Sequence, residues 1–165
     1  SHLSFLNFME KILASRNDLF IFFKPKYDPN LLKNYPDLYK TYKKLIINEN
    51  FKTLNSATSK NLISVSKLAI SMPFASTTIE AISSGKKAFW ADVNNNFPNS
   101  VYMDIDKLVA NSNSKALDLV DYWLSMDNEK FSYFLNNQIK DRLPLNFNNE
   151  ATKKIRLAIL SNIRN

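Results

Sequence analysis

Apolar positions along this chain switch between helical spacing and short unbroken runs, and each switch marks a new element. From Leu3 to Ala14 the residues Leu3, Phe5, Leu6, Phe8, Met9, Ile12 and Leu13 keep the spacing of one helix face, which predicts an amphipathic helix. Asn17-Asp18 ends it. Leu19 to Phe23 is then continuously apolar and aromatic, the pattern of a strand buried on both faces of a parallel sheet, and Lys24-Pro25 stops it. Asp28 to Asn34 reads as loop, Asp37 to Ile47 as a helix, and Phe51 to Leu54 as a second strand.

The alternation continues. Ser56 to Ser66 predicts a helix that delivers the chain to a buried strand at Leu68 to Ser71, closed by Pro73, which has no N–H to give to a ladder. Thr77 opens a helix through Ile79, Ala81 and Ile82, and Gly85 ends it. Lys87 to Ala91 reads as the next strand, running into Asp92 and an asparagine-rich loop to Asn99. Val101 to Met103 reads as an edge strand and Asp104 to Ala110 as a short helix, before helices at Ser114 to Met126, Asn128 to Leu143 and Asn149 to Ile163. Strands alternating with helices at this spacing predict an α/β fold: one Rossmann-like parallel sheet in three layers, flanked by helices, with extra helices at the C-terminus.

The length of 165 residues suits one domain with one core. Hydrophobic residues make up 45% and charged residues 22%, which is ordinary for a folded domain. No apolar run approaches the roughly 18 to 20 residues that span a bilayer. The chain has no cysteine, which leaves no disulfide, thiolate metal site or cysteine nucleophile and is compatible with a reducing cytoplasm. His2, the only histidine, follows Ser1 in what resembles an expression scar and is given no role. A chain opening directly in an amphipathic helix is expected to be part of something larger.

Charge is uneven. Residues 1–70 carry 11 Lys+Arg against 5 Asp+Glu, residues 71–147 carry 7 against 9, and residues 148–165 carry 4 against 1. A basic surface attracts phosphate-bearing ligands, anionic lipid or nucleic acid. Lys33, Lys40, Lys43, Lys44, Lys52, Lys60 and Lys67 are scattered, without arginine clusters or a nucleic-acid motif, so solvated helix faces are the better reading and nucleic acid is not an expected partner.

Ligands of open parallel sheets bind outside the carboxyl ends of the strands, so the strand-to-helix loops are where chemistry is sought. The segment from Ser71 to Glu80 places Ser71, Pro73, Ser76, Thr77 and Thr78 around a helix N-terminus, where free amides and the macrodipole favour an anion. The same residues also fit a capping box, Thr77 serving the amide of Glu80 and Glu80 returning to that of Thr77. A chain with one glycine cannot build a P-loop or a GxGxxG turn, and it has neither a histidine-supported triad nor a metal cluster. No catalytic residue, metal or cofactor is assigned.

Residues 68–90, from Leu68-Ala69-Ile70-Ser71 through Pro73-Phe74-Ala75-Ser76-Thr77-Thr78-Ile79-Glu80 and Gly85-Lys86 to Phe89-Trp90, resemble the donor-site segment of GT-B glycosyltransferases that build bacterial surface polysaccharides. The resemblance extends over roughly residues 19–125. It implies that the chain is the C-terminal, donor-binding half of a two-domain enzyme, with a nucleotide sugar as partner. Ser76, Thr77 and Thr78 would then hold donor phosphate, and Glu80 would accept from sugar or ribose hydroxyls. Phe22-Phe23-Lys24-Pro25-Lys26 is similar to a strand-end motif in which a basic residue precedes proline, which implies phosphate-facing roles for Lys24 and Lys26; lysine here replaces the family's histidine, and a solvated loop reads equally well. The general base of inverting members usually lies in the N-terminal, acceptor-binding domain, so this chain would hold donor without completing the reaction. Other readings stay open: a glycerophosphotransferase or nucleotide-sugar epimerase domain of the same architecture, or a non-catalytic basic α/β interaction module. The expected location is the cytoplasm, with peripheral contact at the inner membrane surface as a further expectation.

Overall fold

The computed structural model describes residues 2–143. Helix α1 (His2–Ser15) leads into strand β1 (Ile21–Phe23), a 3-10 segment (Pro29–Asn34), helix α2 (Pro36–Ile46) and strand β2 (Phe51–Thr53). Helix α3 (Ser59–Val65), strand β3 (Leu68–Ser71), helix α4 (Ser76–Ser83) and strand β4 (Lys87–Ala91) follow. Strand β5 (Val109–Ala110), helix α5 (Asn113–Ser125), helix α6 (Asn128–Phe134) and a π-helical turn (Leu135–Ile139) complete the described chain.

The class is mixed α/β with parallel strands, as the alternating pattern predicts, but the strands form two ladders where one sheet is expected. β1 pairs with β2, Ile21 facing Phe51, while β3, β4 and β5 form a three-stranded sheet with β4 at its centre. The division reflects two cores. The larger gathers Ala88, Phe89, Trp90 and Ala91 of β4 with Ile82 of α4 and Ala116, Val120 and Trp123 of α5. The smaller gathers Leu6, Met9 and Leu13 of α1 with Tyr42 and Leu45 of α2 and Phe51 of β2. α1 serves both, because Phe8 and Ile12 on its other stripe enter the larger core, and Phe5 and Ile21 pack against both clusters.

Local chemistry sets the boundaries. Asp28 accepts from the amide of Asn30 at 2.9 Å and starts the 3-10 segment; Thr58, Ser112 and Asp127 accept from the amides of Asn61, Lys115 and Lys130 and start α3, α5 and α6. Gly85 adopts φ 72° just after α4, the left-handed conformation that glycine takes without steric cost. The Trp123 indole donates to the Lys107 carbonyl at 3.1 Å, and its ring lies 5.0 Å from Phe134 and 5.8 Å from Phe131, which fastens α6. Removing so large a buried side chain costs about 3–5 kcal/mol.

Residues 101–108 depart from the sequence expectation. They form neither an edge strand nor a helix but successive turns, with Met103, Ile105 and Leu108 donating to Ser100, Tyr102 and Ile105, and the chain becomes β5 only at Val109. Lys107 at φ 62° breaks any helix there, and the buried Ile105 and Leu108 imitate helical spacing because they point into the core from turns. The helix expected over Asn128 to Leu143 stops at Phe134 and widens into the π turn. The helix predicted over Asn149 to Ile163 lies outside the described residues.

Candidate functional site

Because β3, β4 and β5 are parallel, the loops leaving their carboxyl ends lie along one sheet edge. The β3–α4 loop is held by its aromatic residue. Phe74 sits at φ 58°, a conformation that costs a side-chain-bearing residue roughly 1–2 kcal/mol. Its ring is caught among Trp90 at 5.5 Å, Phe97 at 5.2 Å and Tyr102 at 5.4 Å, and the Trp90 indole donates to the Ala75 carbonyl at 3.0 Å. Packing thus over-determines a backbone that is strained locally.

That arrangement begins α4 at Ser76, with Ala75 as N-cap and no side-chain cap bond. The capping box expected between Thr77 and Glu80 is not formed: the helix starts two residues earlier than that pattern requires, and a Glu80 carboxylate oxygen accepts instead from the Ser76 hydroxyl at 2.8 Å. The first amides of α4 therefore head the helix without a capping side chain. Ser76 and Glu80 are exposed and Thr77 is half-buried. The Glu80 carboxylate, one turn in, offsets part of the positive end of the helix.

The other two hydroxyls face inward. Thr78 is 0% exposed, its Oγ1 lying 2.7 Å from Ser71 Oγ and donating at 3.2 Å to the Phe89 carbonyl; Ser71 Oγ can donate to the Met72 carbonyl at 3.2 Å. Each hydroxyl has one proton. The pair is consistent either as Ser71 to Thr78 to Phe89, or as Thr78 to Ser71 to Met72. These side chains tie β3 and α4 to β4, and what Thr78 can offer a ligand is its amide.

Pro73 is half-buried in the turn that carries the chain to Phe74. Lys24 and Lys26 are exposed beyond the end of β1, and the Lys26 ammonium lies 5.4 Å from the Tyr27 ring centroid. Neither lysine forms an ion pair or a hydrogen bond with the β3–α4 loop among the described residues.

Two features of this edge escape sequence pattern. Asp92, 1% exposed at the end of β4, accepts from the amides of Asn96 at 3.0 Å and Phe97 at 2.9 Å, so a buried carboxylate folds the asparagine-rich loop back and sets Phe97 against Phe74. A recess of about 400 Å³ lies between α1 and this edge, lined by Ser4, Asn7, Glu10, Lys11 and Ala14 of the helix, Asn94 after β4 and Asn113 at the start of α5. No group of three or more metal-ligating side chains, and no helix long and apolar enough to cross a membrane, occurs among the described residues.

The model of one family, described as polysaccharide biosynthesis PFTS motif protein, matches residues 2–120, well over half of the chain. The chain belongs to the polysaccharide biosynthesis PFTS motif family. No curated protein and no solved structure matches it. Residues 73–76 read Pro-Phe-Ala-Ser, three of the four letters in that description. These residues make the strained turn that leads into α4 at Ser76. Ala75 is the N-cap, a position where a threonine hydroxyl would cap the helix and alanine does not.

Proposed function

We propose that this chain is the donor-binding domain of a polysaccharide-building glycosyltransferase, holding the phosphates of a nucleotide sugar at the start of α4. The observation that carries this reading is the uncapped N-terminus of α4, set at a carboxyl strand edge by a loop that spends the Phe74 conformation and the Trp90 hydrogen bond on its placement. The amides of the first turn and the Ser76 and Thr77 hydroxyls would receive the phosphate oxygens, and Glu80 would take a sugar or ribose hydroxyl once released from Ser76. Lys24 and Lys26 would supply charge from the neighbouring strand end, which requires the β1–β2 and β3–β5 ladders to lie as two parts of one Rossmann-like array. Such a domain contributes placement and leaving-group stabilisation, while a second domain presents the acceptor.

Calorimetric titration of the chain with UDP, CMP and GDP tests the reading. Saturable binding to one nucleotide, lost in Ser76→Ala or Thr77→Ala, supports it. Indifference to every nucleotide removes it. Salt-sensitive binding to any polyanion supports the basic interaction module instead.

A further inference from the structure

We propose that the recess between α1 and the carboxyl ends of β4 and β5 binds an uncharged saccharide. The lining mixes polar side chains with apolar surface, including Ala14, and carries no excess charge, a combination that suits the hydroxyls and C–H faces of a sugar ring. Asn7, Asn94, Asn113 and Ser4 present amide and hydroxyl groups, while the two charged residues, Glu10 and Lys11, are opposite in sign. A carboxamide offers a donor and an acceptor from one side chain, which matches the paired hydroxyls of a sugar better than the uniform acceptors of a phosphate. The volume of about 400 Å³ falls within the ordinary range of small-molecule sites, and its place outside parallel strand ends is where α/β sheets bind ligands.

An independent observation marks the same wall. Among the described residues, Asn113 Oδ1 is the buried side-chain polar atom with no hydrogen-bond partner. Such an atom costs stability unless something supplies a donor. A sugar hydroxyl reaching this wall of the recess would supply the donor. Asn94 is already oriented across the recess, its Nδ2 donating to Ser4 Oγ at 2.6 Å, which leaves its carbonyl oxygen as an acceptor.

This inference does not rest on the nucleotide reading, because the recess and the α4 entrance share no residue. Saturation-transfer NMR of the full 165-residue chain with glucose and with N-acetylglucosamine, at millimolar concentration, is the test. The expected result is transfer to the ring protons of at least one sugar, weakened about tenfold or more in Asn113→Ala and in Asn94→Ala. Asn113→Ala should melt at or above the wild-type temperature, since it deletes an unpaired buried acceptor; loss of binding without loss of stability separates a ligand role from a structural one. Ser76→Ala should leave the sugar signal intact. Absence of transfer from both sugars, or undiminished transfer in both asparagine variants, overturns the proposal, as does displacement of the sugar by UDP in proportion to UDP occupancy. Loss of nucleotide binding alone, with sugar binding kept, sinks only the nucleotide reading.

Discussion

The Ser71 and Thr78 hydroxyls lie 2.7 Å apart inside the protein, one at the end of β3 and the other in the first turn of α4. Thr78→Val keeps the shape and deletes the hydroxyl, taking from the buried Ser71 hydroxyl the partner it has 2.7 Å away. The expected loss is about 1–3 kcal/mol, measured as a lower denaturation midpoint with unchanged m-value. Ser76→Ala, on the exposed side of the same turn, should change stability by no more than about 0.5 kcal/mol. The two variants separate what the loop does for the fold from what it offers a ligand.

Ala75 stands at an N-cap position without a side-chain acceptor. Ala75→Thr places a hydroxyl at this position and should stabilise the chain by about 1 kcal/mol through a cap on the first amides of α4. A raised thermal midpoint checks this; an unchanged or lowered one means the hydroxyl turns elsewhere.

Phe74 reverses the usual ranking of alanine over glycine. Both Phe74→Ala and Phe74→Gly lose the ring contacts with Trp90, Phe97 and Tyr102, but only glycine adopts φ near 58° without steric cost. The glycine variant should therefore be the more stable of the two by about 1 kcal/mol in parallel denaturant titrations. Equal stabilities would mean that the loop relaxes once the ring is gone.

Acid should weaken the fold through two surface carboxylates. The Asp18 carboxyl is held below its ordinary range by hydrogen bonds from the Arg16 guanidinium, and that of Asp127 by the Lys130 amide it caps. A depressed folded-state pKa means that the contribution is complete above the unfolded value of about 3.9 and is lost as pH falls through the folded value. Denaturation midpoints taken between about pH 6 and about pH 2 should fall more steeply for the wild type than for the Asp18→Asn, Asp127→Asn double variant.

How much of this was legible depends on where each signal resides. The strands at Leu68–Ser71 and Lys87–Ala91, and the loop between Ser71 and Glu80, were readable because they are local: an apolar run, a proline, and hydroxyls before a helical pattern. The division into two ladders was not, because strand runs reveal that strands exist and not which ones pair. Residues 101–110 misled because buried turn residues mimic a helix face, and Lys107 carries no mark of its left-handed backbone. The recess was invisible for a similar reason. Its asparagines are separated by long stretches of a chain in which asparagine is common, and only folding brings Asn94 and Asn113 beside α1.

Because α1 grips one cluster with Leu6, Met9 and Leu13 and the other with Phe8 and Ile12, it behaves as a shared spine and not as a cover for either half. Amides in the β1–β2 half and in the β3–β5 half should then slow their exchange with deuterium together whenever something grips the solvent side of that spine. An occupant of the recess would be felt at Phe51 as well as at Trp90, although it touches neither.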